Sequence, residues 1–180
     1  MNGLLITQLL TGLLLSSLVS YLAWHMKALT IGGAWAAAII GGIIFGLGGL
    51  SWAALLLAFF VSSSVLSRVF IHQKVALSKK FSKGVQRDGV QVFANGGLGT
   101  LLATTQVFTP EQHWPWIAFA GAMATVNADT WATELGVLSS KSPRLITTGQ
   151  RVERGTSGGI TFLGTVASLC GAALIALLGG

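Results

Sequence analysis

No Lys, Arg, Asp or Glu occurs from Met1 to Met26, from Ala28 to Ser67, or from Gly155 to Gly180. A membrane-spanning helix needs about 20 mainly apolar residues. The first gap therefore holds one span, the second two and the last one. Only 9% of the 180 residues are charged and 52% are hydrophobic. A soluble domain carries roughly a quarter charged residues, so the chain reads as an all-α, polytopic membrane helical bundle. Its one cysteine, Cys170, excludes an intrachain disulfide and a thiolate metal cluster. The N-terminus has no basic n-region, so a removable signal peptide is not expected.

Six spans are predicted as one domain: Leu4–Trp24, Ile31–Leu47, Ser51–Phe70, Asp88–Phe108, Trp114–Leu138 and Gly158–Leu178. Counting basic residues in alternate loops tests the orientation. Lys27 lies between spans one and two. Arg68, Lys74, Lys79, Lys80, Lys83 and Arg87 lie between or at the edges of three and four. Lys141, Arg144, Arg151 and Arg154 lie between five and six. All eleven basic residues thus fall on one side. They are expected in the cytoplasm, with both termini on the opposite side. The net charge of +6 flanks hydrophobic spans, so it reads as a topology signal rather than a nucleic-acid surface. In the second span Ala34, Ala38, Gly42 and Gly46 form a small-residue row suited to close helix packing in lipid.

Polar residues inside spans are costly and usually face an interior site. In the fourth span Asp88, Gln91 and Asn95 recur at i, i+3, i+7 on one stripe, with Arg87 at its edge. The fifth contains ATVNADTWATELG, where Asn127, Thr130 and Glu134 share a face. Asp129 lies roughly 140° from Glu134 in a straight helix. Two carboxylates without a cation in their own span need partners. Mg²⁺ is one solution, because it favours hard oxygen ligands; Arg87 or the basic loops are another. A single site using both carboxylates requires a kinked helix or a site that straddles two faces.

The third constellation is Arg151-Val-Glu-Arg154-Gly155-Thr156-Ser157-Gly158-Gly159, running into the sixth span. Glycines and hydroxyls at a helix N-terminus present backbone N–H groups to phosphate. Arg144, Arg151 and Arg154 would add charge-assisted contacts. Together these features predict an acidic, amide-bearing pocket on the cytoplasmic side, rimmed by basic groups. That layout suits a lipid-borne phosphate meeting a nucleotide–Mg²⁺ complex.

RDGVQVFANGG (87–97), NADTWATELG (127–136), SPRLITTGQRV (142–152) and GTSGGITFLGT (155–165) carry a family resemblance. In these segments the chain resembles the domain-of-unknown-function 92 family. That family includes plant and cyanobacterial phytyl-phosphate kinase and the animal transmembrane-protein-19 group. The resemblance covers about the C-terminal half; the N-terminal half matches in hydropathy only.

It implies a membrane kinase that adds a phosphoryl group from a nucleoside triphosphate to an isoprenyl monophosphate such as phytyl phosphate. The diphosphate product would serve tocopherol synthesis. CTP is the favoured donor and ATP the second choice. By the same resemblance Asp129, Glu134, Asp88 and Arg87 are catalytic candidates, and Asp129, Glu134 and Asn127 are Mg²⁺ candidates. Gln91, Asn95, Asn127, Thr130, Arg144, Arg151, Arg154, Gly155, Thr156, Ser157, Gly158 and Gly159 are expected to bind substrate or nucleotide. Ser157 stands where relatives often carry an acid or amide. Many relatives carry a further hydrophobic segment, so the chain reads as a short form or as one whose missing surface another subunit supplies, as in a homodimer. The competing readings are a lipid cytidylyltransferase and a transporter using the intramembrane Asp and Glu.

Overall fold

A computed structural model describes residues 3–70 and 86–180. His72, Lys74, Lys79, Lys80 and Lys83 of the basic segment lie outside the described residues. The described chain forms α1 (Gly3–His25), α2 (Ile31–Gly48), α3 (Leu50–Val69), α4 (Gly89–Phe108), α5 (Trp114–Gly136) and α6 (Phe162–Gly179). Two short strands, β1 (Arg144–Leu145) and β2 (Gly159–Ile160), separate α5 from α6. All-α membrane architecture is thus what the chain adopts.

Four helices, α1, α2, α3 and α6, are long and apolar enough to cross a membrane. α4 and α5, at 20 and 23 residues, have the length but carry the polar candidates. The sixth helix begins at Phe162 rather than at the expected Gly158. Its N-cap is Thr161, whose Oγ1 accepts the Gly164 N–H at 3.0 Å. Gly158, at φ +76°, cannot lie inside a right-handed helix.

The described residues divide into two compact units. The first comprises 3–58, 86–123 and 178–180; the second comprises 59–70 and 124–177.

In the first unit, glycines set how closely helices approach. A Cβ on Gly12 would lie 2.8 Å from the Gly46 nitrogen and 2.9 Å from the Gly42 carbonyl oxygen. Four residues on, the Ser16 hydroxyl donates to the Ala38 carbonyl at 2.8 Å. α1 and α2 therefore run antiparallel along the small-residue row. α2 and α4 run parallel: Gly33 meets Arg87, Ile40 meets Gly96 and Ile44 meets Gly99. Trp52 stacks on Phe119 at 4.4 Å between ring centres, with Trp116 beside both. Ile44, Leu55 and Phe119 are fully buried there.

The second unit uses the same device. A Cβ on Gly136 would lie 3.2 Å from the Gly164 Cα, and one on Gly171 would lie 3.1 Å from the Asn127 carbonyl oxygen. α5 and α6 are thus antiparallel and nearly in backbone contact. Lipid tails give helices no hydrophobic reason to associate, so such close packing carries much of the cohesion. The outward sides remain apolar, with Leu14, Trp35, Phe108 and Leu177 at least 70% exposed.

Gly33 and its neighbour Gly32 separate close packing from helix propensity. A Cβ at Gly33 collides with the Arg87 carbonyl oxygen, whereas one at Gly32 meets nothing within 4 Å. Gly33→Ala should destabilise the protein by about 1–3 kcal/mol. Gly32→Ala should be neutral or stabilise by up to about 1 kcal/mol. Thermal unfolding in detergent measures both.

Candidate functional site

In the first unit the chain enters α4 beside α2. The Arg87 N–H donates to the Ala28 carbonyl at 2.9 Å, and its carbonyl accepts the Thr30 N–H at 3.0 Å. Thr30 in turn caps α2 by accepting the Gly33 N–H at 3.1 Å. Asp88 is the N-cap of α4: its Oδ1 accepts the Gln91 N–H at 2.9 Å, and Gln91 Oε1 accepts the Asp88 N–H at 3.1 Å. This reciprocal capping box satisfies two orphan donors at the helix start. Both side chains are exposed, while Asn95 is half-buried two turns inside α4.

In the second unit α5 aims its polar residues at α3 and α6. Asn127 is fully buried. Its Nδ2 donates to the Gly171 carbonyl at 2.8 Å, and its Oδ1 accepts the Ser62 hydroxyl at 3.1 Å. Ser62 also accepts the Trp131 indole N–H at 3.3 Å. One turn beyond, Glu134 Oε1 accepts the Ser67 hydroxyl at 2.8 Å. The Thr130 hydroxyl returns to the Val126 carbonyl at 2.9 Å. The face shared by Asn127 and Glu134 thus packs on α3 through two serines.

Asp129 stands apart. It is exposed, and the bond nearest it is from the Thr133 hydroxyl to its backbone carbonyl at 2.9 Å. α5 is helical throughout Trp114–Gly136, so Asp129 and Glu134 leave it on different faces. Among the described residues no three of His, Cys, Asp and Glu gather as a metal-binding group.

The segment between α5 and α6 is a small folded clasp. β1 pairs antiparallel with β2, placing Arg144 opposite Ile160 and Leu145 opposite Gly159. On its other edge Arg144 bridges Arg151. Beneath, a Cβ on Gly159 would meet Pro143 and Val152 at 3.3 Å. Left-handed glycines Gly149, Gly155 and Gly158, at φ +70°, +80° and +76°, turn the chain through this clasp. Arg154 donates to the Ser139 carbonyl at 2.7 Å and so ties the clasp to the end of α5.

The Gly155–Gly159 turn therefore leads into β2 and is not the helix N-terminus expected from the sequence. Its Thr156 and Gly159 N–H groups are taken by the Glu153 and Thr156 carbonyls, at 3.2 and 3.0 Å. Gly155 and Ser157 are exposed, and Thr156 is half-buried.

Sequence reasoning missed Ser62 and Ser67, the partners of the two interior residues of α5. The signal was the run Ser62-Ser63-Ser64 and Ser67 in an otherwise apolar span. The capping box was also legible as Asp-x-x-Gln ahead of an apolar run.

Residues 14–180 match the family described as Integral membrane protein DUF92. The chain is 34% identical over 183 residues to Protein PGR of Arabidopsis thaliana, covering 94% of this chain and 63% of that protein. It is 40% identical over 141 residues to an uncharacterized membrane protein of Methanocaldococcus jannaschii, covering 78% of this chain and 57% of the relative. A membrane protein of Synechocystis is 32% identical over 142 residues, covering 74% and 55%. The chain thus spans less than two thirds of the length of each of these relatives. No solved structure matches it.

The buried amide gives a direct test of its packing duty. Asn127→Ala leaves Ser62 and the Gly171 carbonyl short of a partner and should destabilise the fold by about 1–2 kcal/mol. Glu134→Gln keeps an oxygen for Ser67, so a larger loss than in Asn127→Ala would mark a structural role for the Glu134 charge. Thermal unfolding in detergent ranks the two variants.

Proposed function

We propose that this chain, which belongs to the DUF92 family of integral membrane proteins, is a membrane phosphotransferase. Its donor is a nucleoside triphosphate, CTP before ATP, and its acceptor is an isoprenyl monophosphate such as phytyl phosphate. An oxygen of the acceptor phosphate forms a new bond to the γ-phosphorus while the bond to the β,γ-bridging oxygen breaks. The nucleoside diphosphate leaves and the isoprenyl diphosphate remains. The attacking oxygen is already anionic, so no strong protein base is needed. Positioning and charge neutralisation do most of the work in such a transfer.

The observation that carries this reading is the exposed Asp129 carboxylate. It lies seven residues before the end of α5, about 10 Å along the helix axis. An ionisable group at that depth marks a functional site by default, and every other polar side chain named on this stretch has a partner within the protein. Mg²⁺ is usually held by one or two carboxylates together with substrate phosphates and water. Asp129 fits that role. Asn127 does not, because it is fully buried and its amide is engaged by Ser62 and Gly171. Glu134 shares one oxygen with Ser67 on another face. The ion would neutralise charge on the phosphoryl oxygens. Arg144 and Arg151 would attract the anionic reactants, and by the positive-inside rule their basic loop would lie in the cytoplasm.

Purified protein supplied with phytyl phosphate, Mg²⁺ and CTP should yield phytyl diphosphate and CDP. Asp129→Asn should lower kcat at least about a hundredfold, as loss of a metal-held charge contact costs several kcal/mol. An unchanged kcat in that variant removes Asp129 from the reaction. A CDP-linked lipid with release of pyrophosphate would instead establish cytidylyl transfer.

A further inference from the structure

The two arginines of the clasp, Arg144 and Arg151, are direct cross-strand neighbours. The Leu145 N–H donates to the Gln150 carbonyl at 2.9 Å, and the Val152 N–H donates to the Pro143 carbonyl at 3.0 Å. These bonds flank Arg144 and Arg151, which makes them a non-hydrogen-bonded antiparallel pair. Side chains approach most closely in such a pair, with Cα atoms about 4.5 Å apart. Both project from the same face, because cross-strand partners do. Pro143, Leu145 and Val152, which alternate with them, fill the underside. The folded clasp therefore roots two arginines side by side on its outer face, and like charges directly opposite one another destabilise a sheet.

Arg144 is also held in place. Its Nη1 donates to the Gly149 carbonyl at 2.9 Å across the 146–149 turn. This bond leaves four guanidinium N–H groups for an anion. The surface beside the pair includes exposed polar side chains, among them Glu153, and an apolar border. Ile160 is directly opposite Arg144 and 47% exposed, Ile146 is 69% exposed, and Phe162 at the start of α6 is 85% exposed. A free nucleotide or inorganic phosphate gains nothing from that rim, whereas a phosphate carrying a hydrocarbon chain does.

The geometry points to a binding site for the phosphate monoester of a membrane lipid on the outer face of the clasp, gripped by Arg144 and Arg151 and bordered by Ile146, Ile160 and Phe162. Its role as the seat of the lipid acceptor, rather than of the nucleotide, rests on the phosphoryl-transfer reading above. Lipid binding itself does not.

The test uses the full chain in detergent and native mass spectrometry, with phosphatidic acid as the monoester probe and phosphatidylcholine as the zwitterionic control. Phosphatidic acid should be retained over phosphatidylcholine. Arg151→Gln, which leaves the Arg144–Gly149 bond intact, should weaken that retention at least about tenfold, the loss expected for one charge-assisted contact. Arg151→Lys should recover part of it, since the charge returns without the planar fork.

Equal retention of the two lipids, or unchanged retention in Arg151→Gln, would overturn the site. Displacement of phosphatidic acid by equimolar inorganic phosphate would reassign it to free phosphate, and displacement by CTP to the nucleotide. Either result overturns the lipid assignment. Arginine-dependent lipid binding without any diphosphate product would leave this site standing and remove the kinase reading alone.

Discussion

Hydrocarbon offers no hydrogen-bond partner, so every polar group on a buried helix face has to be met from within the protein. Asn127 shows how fully that demand is answered. Its amide donates to the backbone of α6 and accepts from a serine of α3, so three helices of the second unit meet at one side chain. Among the described residues no buried side-chain nitrogen or oxygen lacks a partner. Against such complete pairing an exposed charge is informative. Asp129, Arg144 and Arg151 owe their interest to this contrast.

Where the helices run was legible because charge is scarce in the spans; five of the six begin within a residue of where hydropathy and turn signals place them. The start of α6 was not, because Gly158 and Gly159 look like a helix entry in one dimension. Only the left-handed φ of Gly158 and the pairing of Gly159 with Leu145 reveal a strand. Periodicity placed Asn127 and Glu134 on one face but could not name what that face touches. Ser62 and Ser67 lie more than sixty residues away in sequence, and nothing in a helical period encodes that neighbour.

The polar residues sort into those that hold the protein together and those left over. NADTWATELG contains both kinds: Asn127, Trp131 and Glu134 bind helices to one another, while Asp129 does not. RDGVQVFANGG supplies the first kind. Asp88 and Gln91 start a helix, and Gly96 clears room for Ile40. One short segment can thus mix residues that join helices with residues that do not, and only the geometry separates them. In the clasp, likewise, Arg154 is spent on the backbone at the end of α5 while Arg144 and Arg151 face outward.

Arg87 has a mechanical consequence. Its N–H and carbonyl are both bonded to the short connection between α1 and α2, on either side of Leu29. Tension arriving along the chain from residue 86 would be shed into the first turn of α2 before it reached the capping box of α4. Residue 87 thus works as a strain relief, like the clamp on a cable where it enters a housing.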